Sequence, residues 1–276
     1  MRLAIQGIGL ATPIGGKEEL KAAIGAKATT LSDSSKTDTS SLGDFIPARK
    51  LRRIDHFTRM SLLAAYRALQ DAGKLEDLPP RLGIVITTGY GPSQTTFDFL
   101  DSIIEDGAHL ASPLAFSHSV HNIPAGVLSM QLGIPCPQTT ICQLRQPVTA
   151  GLRTAALWLA DGTADTVLFG AIDESTPLLD DNMSRLTSAD DAHVGEGATF
   201  FLLNSSDKAM AHVDLSPPTD TSHTLIDDEI ASLWGKTPTH AAFSLAAAAL
   251  IAEKTEETWA CKEGATMLHI AGARND

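Results

Sequence analysis

The stretch from residue 139 to residue 174 constrains the fold more than any other part of the chain. It reads TTICQLRQPVTAGLRTAALWLADGTADTVLFGAIDE, a pattern typical of a strand, a sharp turn, an Ala- and Leu-rich helix and a second strand. Elsewhere, apolar stretches of Val, Ile and Leu alternate with helical stretches of Ala and Leu. Sheets that are covered by helices on both faces have this pattern. The sequence therefore predicts an α/β fold.

Composition and charge exclude several classes of partner. The chain has 276 residues with 43% hydrophobic content, which suffices for one large core or two fused half-domains. Its 33 acidic residues exceed its 21 basic residues, which argues against a nucleic acid or an anionic membrane surface as partner. The longest apolar run, residues 241–252, is about half the length of a membrane span. We expect no nucleic-acid partner and no membrane span, and residues 1–10 predict a first strand and not a signal peptide.

The three cysteines show no spacing that indicates a metal site. Cys136, Cys142 and Cys261 form no CxxC or Cys/His ligand pattern, which suits a reducing cytoplasm. His118 and His121 are separated by two residues, but no Cys, Asp or Glu stands nearby in sequence as a third ligand. The glycines of the first strand also fail the GxGxxG pattern of a nucleotide-binding loop. We therefore expect a cytoplasmic protein with no metal and no cofactor.

A polar stretch follows the first helical region. Residues 29–44, TTLSDSSKTDTSSLGD, contain almost no apolar side chains. Clusters of Ser, Thr and Asp between apolar segments are typical of loops. The composition predicts an exposed loop here.

Motifs in several segments resemble those of one enzyme family, the β-ketoacyl synthases. RIDHFT at residues 53–58, with the amphipathic helix that ends in ALQDAG, is similar to the family's R-x-D-x-F-T segment. VGEGATFFLL at 194–203 matches its GEGA turn and the strand after it. Residues 82–91 and 139–174 resemble its buried strand with a Gly turn and its nucleophile segment, and residues 112–133 resemble the segment that lines its dimer interface and acyl channel.

The resemblance implies a particular architecture. Members of this family have a thiolase-like layered α/β/α/β/α fold that contains two sheets. Residues 1–205 resemble the family's N-terminal half, and residues 206–276 resemble a shortened C-terminal half. We therefore expect a thiolase-like fold in which the C-terminal half is abbreviated.

The family's catalytic cysteine has no counterpart at the expected turn. In the family this cysteine lies where a helix begins, because unpaired N–H groups and the helix dipole favour a thiolate there. Counting back from Ala155 and Ala156 without a gap places Arg145 at that position, whereas one gap places Gln146 there. Neither a guanidinium nor an amide can carry an acyl group as a thioester. The resemblance therefore implies a synthase-like chain that lacks its nucleophile.

Other catalytic groups of the family are only weakly represented. The first of the family's two histidines is not found, and the second aligns with His240, near Lys236. A single histidine at a helix start more often serves hydrogen bonding than catalysis. Cys142 lies three residues before Arg145, and strand alternation predicts a buried, inert thiol there. Cys142, His240 and Lys236 remain weak catalytic candidates.

Two classes of function follow. By resemblance to chain-length factors of polyketide and aryl polyene systems, this chain would be a non-catalytic subunit in a heterodimer with an active β-ketoacyl synthase, which would receive the acyl carrier protein. Its dimer interface and acyl channel would then be formed by Phe116, His118, Val120, His121 and Asn122. The alternative is a minimal 3-oxoacyl-ACP synthase or acyltransferase that uses Cys142 with His240. A free-standing acyl-binding homodimer is a third, weaker interpretation.

Overall fold

A computed structural model describes most of the chain. The described residues are 2–26, 36–186, 194–215, 224–225, 233, 235, 237–253, 255 and 258–272. Lys236, one of the weak catalytic candidates, lies outside the described residues. The helices run as α1 Lys17–Gly25, α2 Ala48–Leu51, α3 His56–Asp71, α4 Ser93–Asp106, α5 Pro113–His118, α6 Ile123–Leu132, α7 Pro147–Asp161, α8 Pro177–Leu186 and α9 His240–Ala252, with 3-10 turns at Ser40–Asp44 and Ala108–Leu110.

The described strands form one mixed sheet of nine strands in the order β3-β2-β4-β5-β1-β6-β9-β8-β7. Strands β3, β2 and β4 are parallel, and most of the other neighbours are antiparallel. The α/β class that the sequence predicts is confirmed. The strands are β1 Arg2–Ala11, β2 Leu82–Thr88, β3 Gln138–Cys142, β4 Thr166–Asp173, β5 Gly197–Asn204, β6 Ala211–Asp214, β7 Thr224–Leu225, β8 Thr258–Glu263 and β9 Thr266–Gly272.

The long first strand joins what the resemblance implied would be two sheets. Residues 4–11 of β1 pair with β5, and residues 2–5 pair with β6 on the other edge. Because β1 has a neighbour on each side, hydrogen bonding continues from β3 to β7 without a break. The expected pair of separate sheets, and the five layers that go with it, are not found in the described part of the chain.

Helices cover both faces of the sheet, and each face has its own apolar core. Helices α7 and α9 pack on one face, and α3 and α6 pack on the other. Neighbouring strand residues alternate between these cores, so Phe201 faces α7 and α9 whereas Phe200 faces α3. In α7 the buried residues Val148, Leu152, Ala155 and Ala156 recur at helical spacing. Both cores therefore follow from the local apolar pattern.

Helix α3 lies unusually close to β1. A Cβ atom on Gly9 would stand 1.9 Å from the carbonyl oxygen of Ala64, so only glycine fits at this crossing. This contact brings the N-terminus of α3 close to the segment after β4, where several charged groups meet.

Two sequence-based expectations concern segment boundaries. The predicted boundary at residue 205 lies between β5 and β6, and its division of the chain into two halves stays a prediction. The loop predicted for residues 29–44 is described only from residue 36 onward, and there Thr37 and Leu42 are buried. Five of the nine residues from 36 to 44 are exposed, as expected for a loop, but Thr37 and Leu42 are not, and Ser40–Asp44 forms a 3-10 turn. Within the described ranges, no helix is both long enough and apolar enough to span a bilayer.

Candidate functional site

A strained turn connects β3 to α7. Gln146, the N-cap residue of α7, adopts φ 56° and ψ 40°, and it is the only non-glycine residue with positive φ in the described ranges. For a residue with a side chain, this left-handed conformation costs about 1–2 kcal/mol. Pro147 follows as the first helical residue, where its missing N–H removes no helical hydrogen bond. We call residues 143–147 the elbow.

A buried carboxylate takes up the amide groups at the start of α7. Val148 N–H donates to Glu263 Oε1 at 2.9 Å, and Thr149 N–H donates to Glu263 Oε2 at 2.6 Å. Glu263 is only 6% exposed. Burial raises the pKa of its carboxyl, although the amide hydrogen bonds act in the opposite direction.

The turn between β8 and β9 also holds the elbow side chain. Gln146 Nε2 donates to the carbonyl oxygen of Glu263 and to Thr266 Oγ1, both at 2.9 Å. Gly264 has φ +59°, and a Cβ there would stand 3.1 Å from Gln146 Nε2. The β8–β9 hairpin therefore packs directly on the elbow, and glycine provides the space for this contact.

The elbow and the start of α9 line one cavity of about 600 Å³. Its lining includes Arg145 and Gln146 of the elbow, His240 at the start of α9, and the hairpin residues Lys262 to Ala265. His240 Nε2 is 3.4 Å from Ser244 Oγ. The structure thus brings three of the candidate residues together, whereas Cys142 is not among the lining residues.

Cys142 lies at the end of β3, paired with Thr88 at the end of β2. Its sulfur is 3.7 Å from the carbonyl oxygen of Gly89. Partial burial of the sulfur, and then the charge of Asp173, raise the pKa of the thiol. The residue is exposed, so the expectation that it is buried is wrong. Strand alternation failed here because β3 is an edge strand of the described sheet.

Asp173 joins the end of β2 to the start of α9. Its carboxylate is fully buried and accepts hydrogen bonds from the N–H groups of Gly89, Tyr90 and Thr239 and from the hydroxyls of Thr88 and Thr239. Burial raises the pKa of Asp173 despite these donors. Sequence reasoning did not single out this residue, although an acidic pair that ends an apolar strand is a usable signal.

A third buried carboxylate, Glu196, lies beside Lys36 and His56. Its oxygens accept from Lys36 Nζ at 2.9 Å and from Thr37 N–H at 2.6 Å, and His56 Nε2 lies 2.8 Å away. Burial alone would raise the pKa of Glu196, but His56 and Lys36 reverse the effect, and its pKa lies below the ordinary value. The sequence motif pointed to the GEGA turn but not to these partners.

Glu174, next to Asp173, is held by a backbone amide. It is 2% exposed, and its carboxylate accepts from the N–H of Gln94 at 2.8 Å. Burial raises the pKa of Glu174 to about 7, with Asp55 adding to the shift. This carboxyl therefore holds a proton at a pH where glutamates are usually ionised.

The predicted interface residues lie in and after α5. Phe116 is 57% exposed and contacts the ring of Phe99, with 5.4 Å between centroids. His118 Nδ1 lies 2.9 Å from Asp55 Oδ2, which ties α5 to the N-cap of α3. Val120, His121 and Asn122 are exposed. The described residues contain no group of three His, Cys, Asp or Glu side chains that could hold a metal ion.

Sheet order, elbow and helix cover define a thiolase-like α/β protein, and comparison with known proteins gives its family. The family described as "Beta-ketoacyl synthase, N-terminal domain" matches residues 26–259. The chain belongs to this family, which confirms the resemblance.

Sequence relatives are similar over part of their length. The 3-oxoacyl-[acyl-carrier-protein] synthase 2 of Coxiella burnetii is 26% identical over 194 residues, covering 64% of this chain and 47% of the relative. The synthase of the same name from Vibrio cholerae is 25% identical over 194 residues, with the same coverage. This chain therefore spans about half the length of the curated relatives it matches.

Solved structures of similar fold align over nearly the whole chain. A type II PKS acyl-carrier protein in complex with its ketosynthase (AntDE:AntF) gives a TM-score of 0.78 at 16% identity, covering 98% of this chain and 99% of that one. The ishigamide ketosynthase/chain length factor gives 0.74 at 17% identity, covering 98% of each chain. The ketosynthase ApeO with its chain length factor ApeC from Xenorhabdus doucetiae gives 0.70 at 16%, covering 98% and 99%. At these identities the likeness establishes the fold.

Proposed function

We propose that this chain is a catalytically inactive ketosynthase-like subunit of the chain-length-factor type. It pairs with an active β-ketoacyl-ACP synthase in fatty acid or polyketide biosynthesis, for example of aryl polyenes, and it shapes the acyl channel of that enzyme. The observation that carries the proposal is Gln146 in the left-handed turn before α7, with its amide bonded to the β8–β9 hairpin.

The chemistry of that side chain supports an inactive role. Condensation needs a nucleophile that first accepts the acyl group as a thioester, and a carboxamide is too poor a nucleophile to do so. Arg145, the other residue that could replace the nucleophile, is exposed at the cavity mouth, and a guanidinium stays protonated at any working pH. We infer that residue 146 occupies the position of the missing nucleophile.

The exposed apolar side chains around α5 support a partner surface. Phe116 and Val120 belong to a stretch in which Leu110 and Leu114 are also exposed. Contiguous exposed apolar side chains mark interaction sites. In this proposal His118, His121 and Asn122 complete the contact, and the acyl carrier protein binds through the partner. Solved structures of similar fold include a ketosynthase with its chain length factor and one with its acyl-carrier protein. The complex acts in the cytoplasm.

Co-expression with an active synthase tests the proposal. The chain is expected to co-purify with that synthase at an equimolar ratio, and the isolated chain is expected neither to condense malonyl units nor to be labelled by a thiol-directed acyl inhibitor. Cys142→Ser in the complex is the matched control and leaves the product unchanged. Turnover by the isolated chain contradicts the proposal.

Product length tests the channel role. Phe116→Ala removes a bulky side chain, and the complex is expected to release longer products, since a misfitting group in a filled channel costs roughly 1–3 kcal/mol. Leu178→Ala, which truncates an exposed apolar side chain on α8, is the control and leaves the product length unchanged. An unchanged product distribution for Phe116→Ala contradicts a channel position for this residue.

One observation favours the alternative of a minimal 3-oxoacyl-ACP synthase or acyltransferase. Cys142 is an exposed thiol, so an acyl donor can reach it. Its raised pKa and its absence from the cavity that His240 lines weigh against a catalytic pair. Loss of activity in isolated Cys142→Ser would support this alternative. The native mass of the isolated chain tests the homodimer.

A further inference from the structure

The amide groups at the start of α7 can be accounted for one by one. Pro147 has no N–H, Val148 and Thr149 donate to Glu263, and Ala150 N–H donates to the Gln146 carbonyl oxygen at 3.1 Å. From Ala150 onward the donors belong to the helix itself. The N–H groups of Val148, Thr149 and Ala150 are therefore all taken by acceptors within the protein.

The carboxylate that takes these donors also carries charge. Glu263 adds a negative charge where the helix dipole alone would favour an external anion. Lys262, beside Glu263 in β8, and Arg145 and His240 line the same cavity. The backbone of α7 contacts both carboxylate oxygens of Glu263, at 2.9 and 2.6 Å.

The hairpin also makes this arrangement rigid. Gln146 Nε2 binds the main chain of Glu263, so the elbow and the carboxylate are tied both through side chain and through backbone. A cysteine at position 146 cannot make the hydrogen bonds of the Gln146 amide, but the N–H groups of Val148 and Thr149 would still hold the Glu263 carboxylate at the start of α7. A thiolate there would form next to this carboxylate and would find these two donors occupied. Both effects raise the pKa of such a thiol.

We propose that the Glu263 carboxylate occupies the backbone donors at the N-terminus of α7 and keeps the elbow unreactive towards acyl donors even when residue 146 is a cysteine. Glu263 is thus a positioning residue and a second cause of inactivity beside Gln146. The inference rests on the proposed inactive role of the elbow and deepens it.

The acidity of an introduced thiol tests the proposal. All variants carry Cys136→Ser and Cys142→Ser, and Cys261 is fully buried. Gln146→Cys is prepared with and without Glu263→Gln, and its alkylation by iodoacetamide is measured from pH 5 to 10, with the labelled peptide identified by mass spectrometry. With Glu263 present, the thiol pKa is expected at or above the ordinary value of about 8.5. Glu263→Gln is expected to lower it by about one unit or more, a roughly tenfold rise in thiolate at pH 7.

Asp161→Asn provides the matched control. Asp161 ends the same helix, about 20 Å from the elbow, so its charge is screened there and the thiol pKa is expected to stay unchanged. Equal thiol pKa values with and without Glu263→Gln overturn the proposal. If the double variant does not fold, Gln146→Cys alone still decides, because a thiol pKa below about 7 in that variant overturns the proposal.

The result is independent of the proposed function. Thiol acidity at position 146 is measured without a partner or a substrate. Turnover by the isolated wild-type chain would contradict the proposed function and would not affect the thiol result. Equal thiol pKa values with and without Glu263→Gln would contradict the role of Glu263 and would not affect co-purification with a synthase.

Discussion

Glu196 and Glu263 are both buried glutamates that accept hydrogen bonds from backbone N–H groups, yet the protein shifts their pKa values in opposite directions. Glu196 lies within 3 Å of Lys36 and His56, and its pKa is lowered. Glu263 accepts from amide donors at similar distances, and burial raises its pKa. Backbone amides alone therefore do not offset the loss of water at Glu263, whereas at Glu196 the His56 and Lys36 side chains, together with the Thr37 N–H, do.

The comparison separates two kinds of carboxylate in one fold. The charge at Glu196 fixes the ion pairs that join α3, the segment before the Ser40 turn and the strand after the GEGA turn. Asp173, Glu174 and Glu263 instead depend on amide and hydroxyl donors. Substitutions in each group should therefore differ in size and in pH dependence.

The largest effect is expected at Asp173, because several buried donors depend on its carboxylate. Asp173→Ala leaves the N–H groups of Gly89, Tyr90 and Thr239 without this acceptor, at about 1–3 kcal/mol each. We expect a loss of roughly 5 kcal/mol in unfolding free energy, measured by urea titration. Asp173→Asn, which keeps one acceptor oxygen, is expected to cost less. A loss below about 1 kcal/mol for Asp173→Ala would show that the donors find new partners.

The next effect tests the cations around Glu196. Replacing both Lys36 and His56 by Ala leaves a buried carboxylate without these two partners, which costs about 3–5 kcal/mol at neutral pH. Adding Glu196→Gln to this variant is expected to recover much of the loss in urea unfolding. Arg185→Ala, which breaks an exposed pair with Asp181, is the control and should cost less than about 1 kcal/mol. A double variant as stable as wild type would break the comparison.

The third prediction concerns the proton on Glu174. Its pKa is about 7 in the folded protein against an ordinary value of 4.5, so the folded state binds the proton more tightly than the unfolded state. The contribution of Glu174 to the unfolding free energy is therefore fully present below about pH 4. It is lost as the pH rises to about 7, by on the order of 3 kcal/mol. Glu174→Gln should remove this part of the pH dependence and raise the melting temperature at pH 8. An identical pH profile in both proteins would contradict the assignment.

The smallest effect gives the sharpest contrast. Because the pKa of Glu263 is raised, its contribution to stability falls as the pH rises above about 4.3. Because the pKa of Glu196 is lowered, its contribution is lost as the pH falls below that value. Relative to wild type, Glu263→Gln should therefore gain stability from pH 4 to pH 8. Glu196→Gln should lose stability from pH 3 to pH 6. Thermal unfolding across this range checks both signs, and slopes of the same sign would refute the distinction.

Elements with a local apolar period were predictable from sequence. Helix α7 is an example, because its buried residues recur at helical spacing, and strand β4 is another, because its short continuous apolar run is typical of a strand buried on both faces. The exposure of Cys142 was not predictable, because it depends on β3 lying at a sheet edge, which is a property of the whole sheet. The single sheet was missed for the same reason, since β1 pairs on both sides.

The candidate site was predictable only where a motif lies within one segment. The turn between β3 and α7 was found, but the choice between Arg145 and Gln146 depended on a gap that a single sequence leaves open. The left-handed backbone at Gln146 distinguishes the two, and the role of either residue stays a prediction. Glu263 was missed because it contacts α7 across more than a hundred residues, and Thr37 was missed because its polar surroundings resemble a loop.

The contact between Val148 and Glu263 has a consequence for how the chain is made, since 115 positions separate the two residues. A ribosome that adds about 5–20 residues per second needs roughly 6–23 s to travel from the first to the second. During that interval the N–H groups of Val148 and Thr149 must hydrogen-bond to water or to another acceptor. The start of α7 therefore gains its Glu263 acceptor only after the β8–β9 hairpin has emerged from the exit tunnel.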